Sequence, residues 1–264
     1  MTADLLRRLL AHPLTASLHV DDPATTELRK RIIASKPFLK AIYDEWYAML
    51  AREVPAGEGL VVEFGSGGGY ATQFIPGLVT SEVFASPGVQ VVSNAQAMPF
   101  ADGALRGIVM TNVLHHIPRV RFFFAEATRC LRPGGKILMI EPWVTRWSRP
   151  IYKMFHEEPF DPDAKDWEFA GNGPLSGANV ALPWIVFGRD EIKFREEFPN
   201  LGIECVRPFL PFRYLVSGGV AMRSLMPAFT HGAWAGLEWL MQPVMGQMGM
   251  FAFIAVRRVQ AKGC

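Results

Sequence analysis

The stretch Gly59–Tyr70, GLVVEFGSGGGY, restricts what this chain can become more than any other. Leu60 to Phe64 is apolar apart from Glu63, the pattern of a buried strand. The glycines that follow permit a tight turn and let the backbone approach a ligand with no Cβ between them. Strand, glycine loop and helix in succession is the pattern of a site for a nucleotide-like cofactor.

The spacing narrows that reading. Gly65, Gly67 and Gly69 run G-x-G-x-G, and Tyr70 stands where a dinucleotide fingerprint needs its third glycine. Glu63 sits two positions before the first glycine, a poor neighbour for a pyrophosphate because like charges repel at short range. A cationic ligand with an ammonium group suits it better. The loop E-x-G-x-G-x-G resembles motif I of the class I S-adenosylmethionine-dependent methyltransferases. That resemblance implies that Glu63, Gly65, Ser66, Gly67 and Gly69 hold S-adenosyl-L-methionine.

The positions that follow fit the same resemblance. Leu78 to Val83 reads as a second strand with Glu82 at its end, 17 positions after Gly65, near the spacing at which a carboxylate accepts from ribose hydroxyls. Val89 to Val92 reads as a third strand and leads into SNAQAMPF. Family members usually carry an aspartate before the alanine to accept from the adenine amino group. This chain has Asn94, Ala95 and Gln96 there, so an amide oxygen would take the role. Gly107 to Thr111 reads as a fourth strand, placing Thr111 at its end before NVLHHIP. A helix then runs from Pro118 through Leu131 with Phe122, Phe123 and Ala127 inward, stopped by Gly134 and Gly135 ahead of a fifth strand, Lys136 to Glu141. The LRPGG unit is a further mark of the family, and it is scaffold.

Strands alternating with helices imply an α/β fold with a doubly wound parallel sheet; the resemblance implies a mostly parallel seven-stranded sheet with an antiparallel last strand, a Rossmann-like methyltransferase fold, here carrying helical insertions. Residues 1–54 read as an N-terminal helical cap, made of LLRRLL and a longer pattern from Glu27 through Arg52 broken at Pro37. Ile32, Ile33, Phe38, Ile42, Trp46 and Met49 recur at helical spacing and form its buried face. Residues 55–264 form the methyltransferase domain. Its insertion at 142–188 is rich in proline and aromatic residues and reads as a lid; RDEIKFREEFP follows as a capped helix. A second insertion at about 211–247 is rich in Met, Trp, Leu and Gly. Together they would shape a hydrophobic substrate pocket.

Charge and composition exclude several classes. Lys and Arg number 27 against 25 Asp and Glu, which gives no electrostatic basis for nucleic-acid binding. Cys130, Cys205 and Cys264 lie far apart without metal-ligand spacing, no metal is expected, and a reduced, cytoplasmic setting fits them best. Arg223, His231 and Glu238 interrupt the most apolar tract, so no membrane span is expected, while a peripheral membrane contact stays open. The oligomeric state is not readable.

Methyl transfer from a sulfonium needs mainly alignment and exclusion of water, with a general base only where the acceptor keeps its proton. His116, in LHH after the fourth strand, is the candidate catalytic residue, in a positioning or cofactor-contact role ahead of base catalysis. His156, flanked by Glu157 and Glu158 on the expected lid, is a second acid–base candidate, and Asn179 and Tyr214 are candidates to orient a polar group of the substrate. The resulting expectation is methyl transfer to a small apolar or amphipathic acceptor at carbon or oxygen. A nicotinamide-dependent oxidoreductase and a non-catalytic binding protein of the same fold remain the alternatives.

Overall fold

The computed structural model describes residues 23–67, 70–156, 158–171 and 177–259; the reading of LLRRLL as a helix, Gly69, Glu157 and Cys264 lie outside them. Seven strands form one sheet: β1 (Leu60–Phe64), β2 (Leu78–Glu82), β3 (Val91–Val92), β4 (Leu105–Thr111), β5 (Leu131–Pro142), β6 (Leu201–Phe209) and β7 (Phe251–Arg258). Their order is β3-β2-β1-β4-β5-β7-β6, and β7 alone runs antiparallel to its neighbours, β5 and β6. The doubly wound sheet with a reversed last strand is thus observed.

The central strands are buried on both faces, and their alternation divides the core in two. Val62, Ile108, Met110, Ile137 and Met139 face one layer, which includes Phe123, Phe124 and Ala127 of the helix Val120–Cys130. Val61, Val109, Leu138 and Ile140 face the other, built by the helices Pro23–Ser35 and Pro37–Glu53. Phe38, Ile42 and Trp46 on the second of these are buried as their spacing requires. Pro37 opens that helix within its first turn, where a missing N–H costs nothing. Trp46 stacks on Tyr214 at 5.7 Å and 11° and meets Phe251 at 4.9 Å, so the segment before β7 is packed onto the N-terminal helices. Arg213 fixes the same contact, with Nε 2.6 Å from Glu238 and a terminal nitrogen 2.7 Å from Glu45.

Three local expectations are corrected. Phe122 is exposed, because Val120, Phe123, Phe124, Ala127 and Cys130 occupy the inner stripe at spacings of three and four, and Phe122 falls opposite beneath the Arg119 guanidinium at 5.0 Å. The helix is stopped before the glycines: Leu131 is already extended and pairs with Leu105, and the register then jumps to Lys136 opposite Gly107. Arg132 to Gly135 is therefore an excursion within β5, with Gly134 at φ +79° supplying the left-handed residue it needs. The helix Glu191–Glu197 carries no side-chain cap, since Asp190 is engaged by Arg189 and by Trp167 Nε1.

Among the described residues no helix is long and apolar enough to cross a membrane. The outer layer is closed by a cluster in which Phe124 meets Phe187 and Phe194 edge to face, at 5.8 and 5.0 Å. Phe124→Ala should destabilise the protein by about 3–5 kcal/mol through the cavity it leaves, read as a lower midpoint in denaturant unfolding at unchanged slope.

Candidate functional site

Between β1 and β4 the chain changes direction of winding, and a crevice opens beyond the carboxyl ends of the strands there. It is a cavity of about 540 Å³. Gly65, Ser66 and Gly67 reach it from the end of β1, Glu82 from β2, Asn94, Ala95 and Gln96 from the turn after β3, Thr111 from β4, and His116 from the turn beyond. Four separate segments named from sequence meet at one place. Glu63 does not reach the lining and lies beneath it.

Backbone conformation explains the glycines. Gly65, at φ +66°, has no room for a Cβ, which would stand 2.3 Å from Val113 Cγ2. Gly67, at φ +56°, differs: a Cβ there meets no atom of the described residues within 4 Å. Ser66 ties the loop to β2, donating from its hydroxyl to the Glu63 carbonyl at 3.0 Å and accepting from Ser81 N at 2.9 Å. Gly67 N donates to Glu82 Oε1 at 2.8 Å. Burial raises the Glu82 pKa, opposed by the N–H groups of Gly67 and Val83.

Several polar atoms at the site lack partners among the described residues. Thr111 Oγ1 and Gln96 Oε1 are buried and unpaired. Asn94 Oδ1, by contrast, accepts from Gln96 N at 2.9 Å and from Gln96 Nε2 at 3.2 Å. The acceptor that the turn leaves open belongs to Gln96. Both carboxylate oxygens of Glu63 are also buried without partners, and burial pushes its pKa up to about 8, helped by Glu82 and opposed by the Ser66 hydroxyl.

Beyond β4, the backbone is held by a carboxylate that sequence reasoning did not single out. Glu141, at the end of β5, is fully buried, and its Oε1 accepts from Val113 N and Leu114 N at 2.7 Å each. Its Oε2 lies 2.7 Å from His115 Nδ1. The other face of His115 meets Glu158, with Nε2 3.3 Å from Oε2, and His116 Nε2 lies 3.6 Å from Glu158 Oε1. Burial lowers the pKa of His115, but the two carboxylates outweigh it and hold the pKa at about 9. His116 has burial and the charge on His115 against it, which lower its pKa to about 3. The Glu158 carboxyl is held well below the usual range; burial opposes this, and His115 overcomes it.

Of the remaining candidates, His156 lines the cavity and its Nδ1 accepts from Glu158 N at 3.3 Å. Tyr214 lines it too. Asn179 does not: its Oδ1 accepts from Asp161 N and Ala181 N, and its amide donates to the Asp161 carbonyl, so it braces a loop. The cavity also takes Tyr43, Tyr47, Tyr152 and the cations Arg29 and Lys30, none of which the sequence reading named. Tyr43 and Tyr47 were signalled by their spacing of four beside Trp46, and Glu141 by the same rule that marked Glu63, an acid at the end of a core strand.

A glycine-cornered cradle at the switch point of a sheet ordered β3-β2-β1-β4-β5-β7-β6 defines the class I methyltransferase fold. Residues 62–139 match the family described as a methyltransferase domain. The chain is 37% identical over 51 residues to a ubiquinone/menaquinone biosynthesis C-methyltransferase of Methylobacterium nodulans, a match covering 19% of this chain and 20% of that relative. Among solved structures, a geranyl diphosphate C-methyltransferase from Streptomyces coelicolor A3(2), in complex with Mg2+, geranyl diphosphate and S-adenosyl-L-homocysteine, superposes with a TM-score of 0.51. The alignment covers 97% of this chain and 98% of that one at 14% identity. A geranyl diphosphate methyltransferase in complex with S-adenosyl-L-methionine gives a TM-score of 0.51 at 17% identity, over 88% and 90% of the two chains. At such identities the likeness is one of fold.

The residues present fit S-adenosyl-L-methionine: Gly67 offers its open side, and Gln96 and Thr111 offer unpaired buried acceptors. The buried Glu63 gives a prediction for the unliganded protein. Its folded pKa of about 8 exceeds its ordinary 4.5, so in that window the native state holds a proton that the unfolded state has released. Stability contributed by this group is therefore lost as pH rises from about 5 to about 8. Glu63→Gln should remove that component, so that the difference in melting temperature between variant and wild type shifts in favour of the variant across that range.

Proposed function

We propose that the protein transfers a methyl group from S-adenosyl-L-methionine to a small apolar or amphipathic acceptor, at carbon or oxygen. The observation that carries this is the convergence of Gly67, Glu82, Gln96 and Thr111 on one cavity whose remaining wall includes Tyr43, Tyr47, Tyr152, Tyr214 and Phe251. Glu82 receives the ribose hydroxyls while keeping its bond to Gly67 N, Gln96 Oε1 takes the adenine amino group, and the backbone at Gly65–Gly67 lies along the amino-acid end. Arg29 and Lys30 stand where a carboxylate enters. The cofactor supplies a methyl group already activated on a sulfonium.

The protein's own share is placement and dryness. Tyr43, Tyr47, Tyr152 and Tyr214 line the region facing the cradle, and an apolar acceptor with a polar end suits such a wall. The geranyl diphosphate methyltransferases of like fold are named for an acceptor with an isoprenoid chain, which supports an apolar substrate here. His116 acts by contact and orientation. An imidazole with a pKa near 3 does not collect a proton at neutral pH, so base catalysis at this residue is not part of the proposal.

Titration calorimetry with S-adenosyl-L-homocysteine and with NADH tests the reading. The former should bind and the latter should not; binding of NADH alone would overturn it. Gly67→Val should abolish binding by filling the open side of the cradle, and Glu82→Ala should weaken it by about 1.5–3 kcal/mol, roughly 10- to 150-fold in Kd. Wild-type affinity in both variants would remove the cradle from this position. Incubation with methyl-labelled cofactor and a cell extract should then place label in a lipid-soluble small molecule.

A further inference from the structure

The histidines of the turn beyond β4 are arranged for more than packing. His115 Nδ1 lies 2.7 Å from Glu141 Oε2, and Glu141 Oε1 is occupied by two backbone N–H groups. His116 Nδ1 lies 3.4 Å from the Gly177 carbonyl. In both rings the Nδ1–H is thus directed at an oxygen acceptor, which leaves Nε2 as the atom that faces the other way. Both Nε2 atoms face Glu158. Its Oε2 lies 3.3 Å from His115 Nε2 and is buried with no hydrogen-bond partner among the described residues; its Oε1 lies 3.6 Å from His116 Nε2.

From this geometry we infer that His115 Nε2, His116 Nε2 and the Glu158 carboxylate form a binding site for a divalent transition-metal ion of the zinc type. One ligand atom from each of the three residues lies within 4.8 Å of the others. Ligands about 2.0–2.1 Å from a tetrahedral zinc stand roughly 3.3–3.4 Å from one another, close to the two separations observed. Two histidines and one carboxylate are a ligand set that zinc takes in sites with an open fourth position. Glu141 behind His115 supplies the outer carboxylate that orients a metal-bound imidazole and raises its basicity.

All three ligands lie on the wall of the cavity that carries the cradle, so the open position faces the ligand space. An ion there would take an oxygen of a bound small molecule, such as a carboxylate, enolate or phenolate. A proton shared between His115 and Glu158 and a metal ion are alternative occupants of the same gap. His156, with Nδ1 3.8 Å from Glu158 Oε2, is a further titratable side chain beside the cluster, and the Arg29 guanidinium adds a positive charge that acts on His116. The site stands on its own geometry and does not require the methyl-transfer reading.

The test uses the full-length protein, stripped with chelator and titrated with Co2+ alone, followed by its visible d–d absorption and by metal analysis after gel filtration. Stoichiometric uptake with the spectrum of a four- or five-coordinate site is expected, together with a rise in melting temperature on adding Zn2+. Glu158→Gln and His116→Gln should each lose the spectrum and the thermal shift while keeping the far-ultraviolet circular dichroism of the stripped wild type. Glu141→Gln should weaken binding about 10- to 100-fold with the spectrum retained, an effect that a purely structural role would not produce. No uptake by the wild type, or equal uptake by Glu158→Gln and His116→Gln, overturns the site. Binding of S-adenosyl-L-homocysteine, measured separately, reports on the cradle and not on these ligands.

Discussion

The buried carboxylate of Glu141 is the contact on which the site is assembled. It closes two backbone N–H groups of the turn beyond β4 and one imidazole, so a single side chain fixes the direction in which that turn leaves the sheet. Burying a carboxylate costs less where its oxygens are occupied, and both oxygens of Glu141 are, unlike those of Glu63. Asn112, at φ +57°, is the strained residue that starts the turn, and its N–H is bound by the Ile140 carbonyl on the same neighbouring strand. Val113 is thereby pressed against Gly65, where any side chain would collide with it. The glycine loop and the histidine pair are therefore not independent features; the end of β5 positions both.

Much of the fold was legible in the sequence because strand alternation and glycine spacing are local signals. β1, β2 and β4 lie where apolar runs ended in Phe64, Glu82 and Thr111, and the helix pattern around Trp46 matched its burial. What was not legible depended on register or on contacts between distant segments. The four-residue excursion in β5 looked like a helix stop because glycines serve both purposes. Phe122 was misplaced because three successive phenylalanines cannot all face inward, and the choice among them is made by Val120 and Ala127 one turn on either side.

The site divides in the same way. Residues at strand ends could be named, since topology alone brings those ends together. Asn94 Oδ1 accepts two hydrogen bonds from Gln96, a local contact that its position after β3 did not reveal, and Gln96 Oε1 has no partner among the described residues. Glu158 comes to the histidines on a segment far along the chain, and nothing in HEEPF announces which of its acids turns inward. Asn179 reads as a polar residue near a pocket and proves to be the brace of the loop carrying Asp161.

The position of β7 has a further consequence. It lies between β5 and β6, although it follows β6 by about forty residues in the chain. As the polypeptide leaves the ribosome, Leu201–Phe209 emerges with no edge to join, because the strand that links it to the sheet has not yet been made. Met250 and Phe251, at the start of that late strand, also stand on the cavity wall. Without β7, β6 has no partner in the sheet and the pocket lacks the part of its wall that Met250 and Phe251 supply. The wall of the ligand space is therefore complete only once Phe251–Arg258 has paired between β5 and β6.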